Sequence, residues 1–229
     1  MKLIISAWGA VFIHASADDV IPKDGVNQQD LIQYLTRTYK FASRPITAAL
    51  PVQATQNQNL VFRSGKLTKG DQGYVIHNLV AFPNGDGVVG FTTESAEIVM
   101  NDYLDRLDAD LKYRYKDGIW KRTYASGVVI EFEFSLEERI PTFKAISAIL
   151  DRTISREGRP FKPKSISFGD GDPLAVDLQN DIDAASKTDF TLQRRAGEPY
   201  SANRYYSVAP IKTQDHVKML EEIEAVLGK

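Results

Sequence analysis

The chain has 229 residues and a formal net charge of −2 at pH 7. It can therefore bury a full core, and it lacks the positive charge typical of proteins that bind nucleic acid over their whole surface. The 43% of hydrophobic and 25% of charged residues argue against a disordered chain, a collagen and a coiled-coil rod. The absence of cysteine excludes disulfides, thiolate metal sites and cysteine nucleophiles. No run reaches the roughly 18 apolar residues of a membrane span.

The first seventeen residues support two interpretations. Lys2, the apolar residues 3–13 and the A-x-A sequence of residues 15–17 fit the signal peptide of an exported protein. The same apolar run is rich in β-favouring residues, which predicts a buried strand. We favour the strand, and with it a cytoplasmic protein. Export with cleavage after residue 17 is the alternative.

Helical spacing of apolar residues recurs at four places along the chain. The first helix is predicted after Asn27 and ends before Pro45, because the residue preceding a proline leaves the α region. The clearest helix spans residues 94 to about 112. The last is capped by Thr213 and runs to Leu227. The third has Pro141 near its first turn and carries Phe143, Ile146, Ile149, Leu150 and Ile154.

The predicted strands lie between these helices and are often separated by turn residues such as Asp117-Gly118. In VVIEFEF, apolar residues alternate with Glu131 and Glu133, which predicts one buried and one solvated face. The pattern favours an α+β fold, a mainly antiparallel sheet built from hairpins with about four helices packed on it. Strands are predicted at residues 60–67, 74–82, 88–91, 128–134, 166–168, 190–194 and 205–208.

A change in composition at SREGRPFKPK predicts a domain boundary. We expect a main α+β domain at residues 1–154, a linker at residues 155–164 and a C-terminal α+β subdomain at residues 165–229 that packs on the first. No repeat of individual residues is visible beneath this order of elements.

The partial matches to familiar catalytic and cofactor motifs do not predict such sites once the neighbouring residues are considered. The G-x-G-x-x-G match at residues 85–90 continues into a β-branched run, so it predicts a returning strand rather than a dinucleotide site. The segment FGDGDP at residues 168–173 contains two aspartates but lacks the EF-hand spacing, so it predicts a turn. His14, His77 and His216 are isolated in sequence. We therefore predict no cofactor and no metal site, and lean against an enzyme.

A C-terminal segment, RRAGEPYSANRYY, is rich in tyrosine and arginine, which concentrate at protein-interaction hot spots. It predicts contact with another protein or with a second copy of the chain. We expect a non-enzymatic interaction or assembly subunit of a homo- or hetero-oligomer. The residues predicted to make these contacts are Arg194, Arg195, Tyr200, Arg204, Tyr205 and Tyr206.

Two other functions are open at the level of sequence. One is binding of single-stranded nucleic acid by a hairpin of residues 112–124, with rings that stack on bases and cations that contact phosphates. The other is an enzyme whose site is assembled from distant residues around His77 or His216. The candidate nucleic-acid contacts are Tyr113, Arg114, Tyr115, Trp120, Lys121 and Arg122.

Overall fold

The computed structural model describes residues 1–14, 20–21, 28–45, 59–82, 85–111, 114–115, 121–154, 160–169 and 189–228. The predicted cleavage motif at residues 15–17, the turn at residues 117–118 and most of the acidic run at residues 168–173 lie outside this part of the chain.

Strands and helices lie close to where the hydrophobic pattern predicts them. The helices are α1 (Gln28–Tyr39), α2 (Thr93–Leu111), the single turn α3 (Leu136–Arg139), α4 (Pro141–Thr153) and α5 (Thr213–Leu227). The strands are β1 (Lys2–His14), β2 (Val20–Ile21), β3 (Leu60–Lys69), β4 (Gln72–Phe82), β5 (Gly85–Gly90), β6 (Arg114–Tyr115), β7 (Lys121–Glu131), β8 (Ser165–Phe168), β9 (Phe190–Arg194) and β10 (Arg204–Ala209).

Eight of these strands form one antiparallel sheet in the order β3-β4-β5-β1-β7-β10-β9-β8, and β2 pairs with β6 in a separate two-stranded sheet. The predicted α+β class is therefore confirmed. The first residues form strand β1 as expected. The residues of the G-x-G-x-x-G match form strand β5, paired with both β1 and β4.

The chain divides into two compact units. We call Trp8–Ser126 the N-unit, and Met1–Ala7 together with Gly127–Lys229 the C-unit. Strands β1 and β7 are each divided between the two units, with one part of the strand in the N-unit and the other part in the C-unit. The division falls within these strands, and the described residues 160–164 of the predicted linker belong to the C-unit. The domain boundary at residues 155–164 stays a prediction.

Both units use the same order of elements. In the N-unit a strand (β1) and a helix (α1) precede three antiparallel strands (β3, β4, β5) and a second helix (α2). In the C-unit β7 and α4 precede β8, β9, β10 and α5. The third strand of each antiparallel set lies next to the initial strand. The two units therefore share a topology, but no repeat of individual residues is visible in the sequence.

The core of the N-unit lies between its sheet and both of its helices. Helix α2 begins very close to β1, because a Cβ on Gly9 would lie 2.0 Å from the backbone nitrogen of Thr93. Only glycine permits that approach. The hydroxyl of Thr92 accepts from the Ser95 N–H at 3.1 Å, so the cap residue is Thr92. Buried helix residues are Ile32, Leu35 and Tyr39 from α1 and Ala96, Val99, Met100, Tyr103 and Leu107 from α2.

The core of the C-unit is smaller. It joins Val128 and Ile130 of β7 to Leu192, Tyr205 and Leu220. The predicted alternation is present at the end of β7, where Ile130 and Phe132 are buried, Glu131 is half-buried and Glu133 is exposed. Earlier in the strand, residues 125–130 are buried without alternation. An inner strand of a sheet covered on both faces carries apolar residues at successive positions.

Candidate protein-interaction site

Helix α4 leaves much of its apolar face in contact with solvent. Ile146 is 49% and Ile149 52% exposed, and Ile154, just after the helix, is 41% exposed. No residue of α4 is buried. The helix contacts its own unit through Phe143, which approaches Ile166 and Leu192 around a cavity of about 10 Å³. Much of the apolar stripe at residues 146–154 therefore remains exposed to solvent.

A groove of about 670 Å³ runs beside α4 within the C-unit. This volume lies in the range of sites that bind ligands or short chain segments. Exposed Glu133, Glu138 and Lys144 place charges of both signs along it. Its lining also includes Phe134, Ser135, Ser147, Ala148, Asp151, Pro160, Phe161, Lys162, Pro163, Tyr200, Ser201 and Asn203.

Two contacts hold the walls of the groove together. The Phe161 N–H donates to Asp151 Oδ1 at 2.6 Å, which ties the segment after α4 to the helix. The Lys162 ammonium lies 4.6 Å from the centre of the Tyr200 ring, a favourable cation–π contact. The groove is therefore bounded on both sides by fixed side chains.

Arg194, Tyr200 and Tyr205, all predicted interaction residues, contact one another. The Arg194 guanidinium lies 4.7 Å from the Tyr200 ring centre and 4.6 Å from that of Tyr205. It also donates to the Tyr200 carbonyl at 2.7 Å and to Ser135 Oγ at 3.1 Å. Tyr205 is buried, and its hydroxyl accepts from the Leu136 N–H at 3.2 Å. Only Tyr200 lines the groove.

The other predicted interaction residues lie elsewhere on the same strands. Arg204 forms ion pairs with Glu131 at 3.0 Å and Glu198 at 3.1 Å. Arg195 is exposed and Tyr206 half-buried. Much of the tyrosine and arginine content therefore serves contacts within the C-unit, and a role of these residues in binding a partner stays a prediction.

Nothing in the sequence marks Ile146 and Ile149 as surface residues. Their spacing is that of an amphipathic helix, and it predicted the helix correctly. The same spacing is found in α1, whose apolar residues are buried. No sequence signal distinguishes the two cases, because exposure depends on what packs against the helix.

The predicted nucleic-acid hairpin is not the pairing that the structure shows. Arg114 and Tyr115 pair with Ile21 and Val20, whereas β7 lies between β1 and β10. The Arg122 guanidinium donates to Glu97 at 3.2 Å and to Asn101 at 3.0 Å, so a carboxylate already neutralises this cation. Lys121 is exposed. Tyr113 and Trp120 lie outside the described residues.

The histidines occupy separate environments. His216 is fully buried, its Nε2 lies 2.9 Å from Ser207 Oγ, and burial lowers its pKa to about 4. His77 contacts the edge of the Phe91 ring, and His14 Nε2 lies 2.8 Å from Thr123 Oγ1. Within the described residues, no three histidine or carboxylate side chains are placed to hold a metal ion.

Neither a protein-family model nor a curated protein sequence matches this chain. Among the helices that the structure describes, none combines the length and the apolar character needed to cross a membrane.

Proposed function

We propose that the chain is a non-enzymatic interaction subunit of a protein assembly, and that the C-unit carries its docking surface. The observation that supports this most is the exposed apolar face of α4, where the Ile146 and Ile149 side chains are each about half exposed to solvent. Apolar residues at helical spacing that remain exposed are typical of a helix that docks against another polypeptide.

Covering this face contributes part of the free energy of docking. Complete burial of an isoleucine side chain stabilises by about 1.5–3 kcal/mol. Ile146, Ile149 and Ile154 are each about half exposed, so covering them contributes on the order of 3 kcal/mol together. The neighbouring groove adds charged and aromatic side chains, the composition of an interface rim beside an apolar centre.

The alternative functions lack comparable support. An enzyme built around His216 requires that substrate reach an imidazole that is fully buried and lies within hydrogen-bond distance of Ser207. Binding of nucleic acid at residues 112–124 requires free cations, and Arg122 is engaged with Glu97.

Site-specific photocrosslinking in the expressing cell tests the proposal. The photoreactive residue p-benzoylphenylalanine replaces Ile149, and in a matched control it replaces Val75, an apolar β4 residue of the N-unit that is 41% exposed. We expect a protein adduct from position 149 that is absent from position 75 and weakened by Ile146→Asp. No adduct from position 149, or equal adducts from both positions, would contradict the proposal.

A further inference from the structure

The two edge strands of the main sheet, β3 and β8, differ in how their backbones are protected. On β3, Arg63 exchanges backbone hydrogen bonds with Ser43 at 2.9 and 3.2 Å, and Ser64 O accepts from Ala42 N–H at 3.2 Å. Ser64 has a positive φ of 56°, so the strand is also distorted locally at this point. A covered backbone prevents pairing with another chain.

Strand β8, at the opposite edge, has none of these features. Its four residues, SISF, carry no charge, and Phe168 is 65% exposed. No hydrogen bond joins its outer side to any residue that the structure describes. An uncharged open edge is a template for another strand.

The outward backbone groups of β8 can be identified from its pairing with β9. The Arg194 N–H donates to Lys164 O at 2.8 Å, and the register continues with Ile166 opposite Leu192 and Phe168 opposite Phe190. Hydrogen-bonded pairs alternate along an antiparallel ladder. The N–H and C=O groups of Ser165 and Ser167 therefore point away from the sheet.

We propose that β8 is a strand-addition site for β8 of a second copy of this chain, so that two sheets join antiparallel at their open edges. This rests on the proposed interaction function and names its partner. In the register centred on Ser167, the outward groups of the two Ser167 residues pair. Ile166 then lies opposite Phe168 of the second copy, which matches apolar with apolar side chains on one face.

This register is self-complementary, because Ser167 lies opposite Ser167 and each Ile166 lies opposite Phe168 of the other copy. A two-fold symmetric dimer requires such a contact of a surface with itself.

The contact is small, and this determines how it is to be measured. One short strand pair buries less than the ~1,200 Å² of a standard interface. The dimer is therefore expected to form and dissociate with concentration.

Sedimentation equilibrium of the full chain tests the inference. Ser167→Pro removes the outward N–H without removing a hydrogen bond to β9, because Ser167 lies between the bonded pairs. Ser167→Ala, the matched control, keeps that N–H. We expect wild type and Ser167→Ala to dimerise equally, and Ser167→Pro to dissociate at least tenfold more readily. Phe168→Ser, with folding checked by circular dichroism, should weaken the dimer in the same direction.

The outcomes separate the two proposals. A wild-type chain that stays monomeric up to its solubility limit, or a Ser167→Pro chain that dimerises like Ser167→Ala, would overturn pairing through β8. If position 149 still gives a photoadduct with a different protein, the interaction function stands and only the second copy is wrong as its partner. If position 149 gives no adduct either, both proposals fail.

Discussion

The N-unit and the C-unit use one order of elements to reach different degrees of closure. In the N-unit the first helix, α1, places Ile32, Leu35 and Tyr39 in the core, and the edge strand β3 is covered. In the C-unit the corresponding helix, α4, buries no residue, and the edge strand β8 is short, with no described residue paired to its outer side.

The difference lies in side chains and local backbone rather than in topology. In the N-unit, Tyr39 donates to Asp102 of α2 at 2.9 Å, and Arg106 pairs with the same carboxylate at 2.7 Å. These contacts fix α1 against α2. Helix α4 instead borders the groove. A repeated topology can thus supply one unit whose first core helix is buried and a second whose corresponding helix exposes apolar surface.

The largest expected effect concerns the corresponding helices of the two units, α1 and α4, and tests whether they differ in burial. Leu35→Ala in α1 should lower the free energy of unfolding by about 2–5 kcal/mol, because it leaves a cavity in a closed core. Ile149→Ala in α4 should lower it by less than about 1 kcal/mol, because half of that side chain is already in water. Urea unfolding of both variants measures the difference. Equal losses would mean that α4 is packed as tightly as α1.

A second effect concerns the buried histidine of the C-unit. The unfolded chain binds a proton on His216 below the ordinary pKa of 6.5, whereas burial lowers the folded pKa to about 4. The stabilisation is therefore complete above pH 6.5 and is lost as the pH falls to 4. It amounts to on the order of 3 kcal/mol.

Urea unfolding at pH 7 and pH 4 measures this effect. His216→Gln serves as the comparison, since glutamine does not titrate. The wild-type chain should lose more stability on acidification than the variant. An identical loss in both would show that His216 is accessible to protons in the folded unit.

The smallest effect distinguishes two neighbouring arginines of the C-unit. Arg194→Lys replaces a guanidinium held between the rings of Tyr200 and Tyr205. It should cost about 1 kcal/mol of stability, because an ammonium cannot stack on both rings. Arg195→Lys, at an exposed position, should change stability by less than about 0.5 kcal/mol. Thermal unfolding of the two variants compares them, and a larger loss for Arg195→Lys would contradict the assignment.

Much of the fold could be predicted because hydrophobic spacing reports local structure directly. Met100, Tyr103 and Leu107 recur at helical spacing and are buried in α2 as expected. Thr191 and Leu192 lie in β9, which has the predicted bounds. These elements are decided by residues close together in sequence.

The candidate site could not be predicted in the same way. Exposure of Ile149 and the open edge of β8 depend on what else packs or pairs there, and strand pairing joins distant residues, as Gly9 with Gly90 shows. The hairpin whose two arms were predicted to flank the turn at residues 117–118 shows that strand pairing is not predicted by local sequence. Arg114 and Tyr115 have the strand character that was expected, but their partner is β2.

The central claim, that the C-unit carries the docking surface, is tested most directly by amide hydrogen exchange of the full chain at low and high protein concentration. The outward amides of Ser165 and Ser167 should exchange more slowly as concentration rises. The covered edge β3 should be unchanged. Slower exchange confined to the N-unit, or no change with concentration at β8 in a sample that sediments as a dimer, would contradict the account.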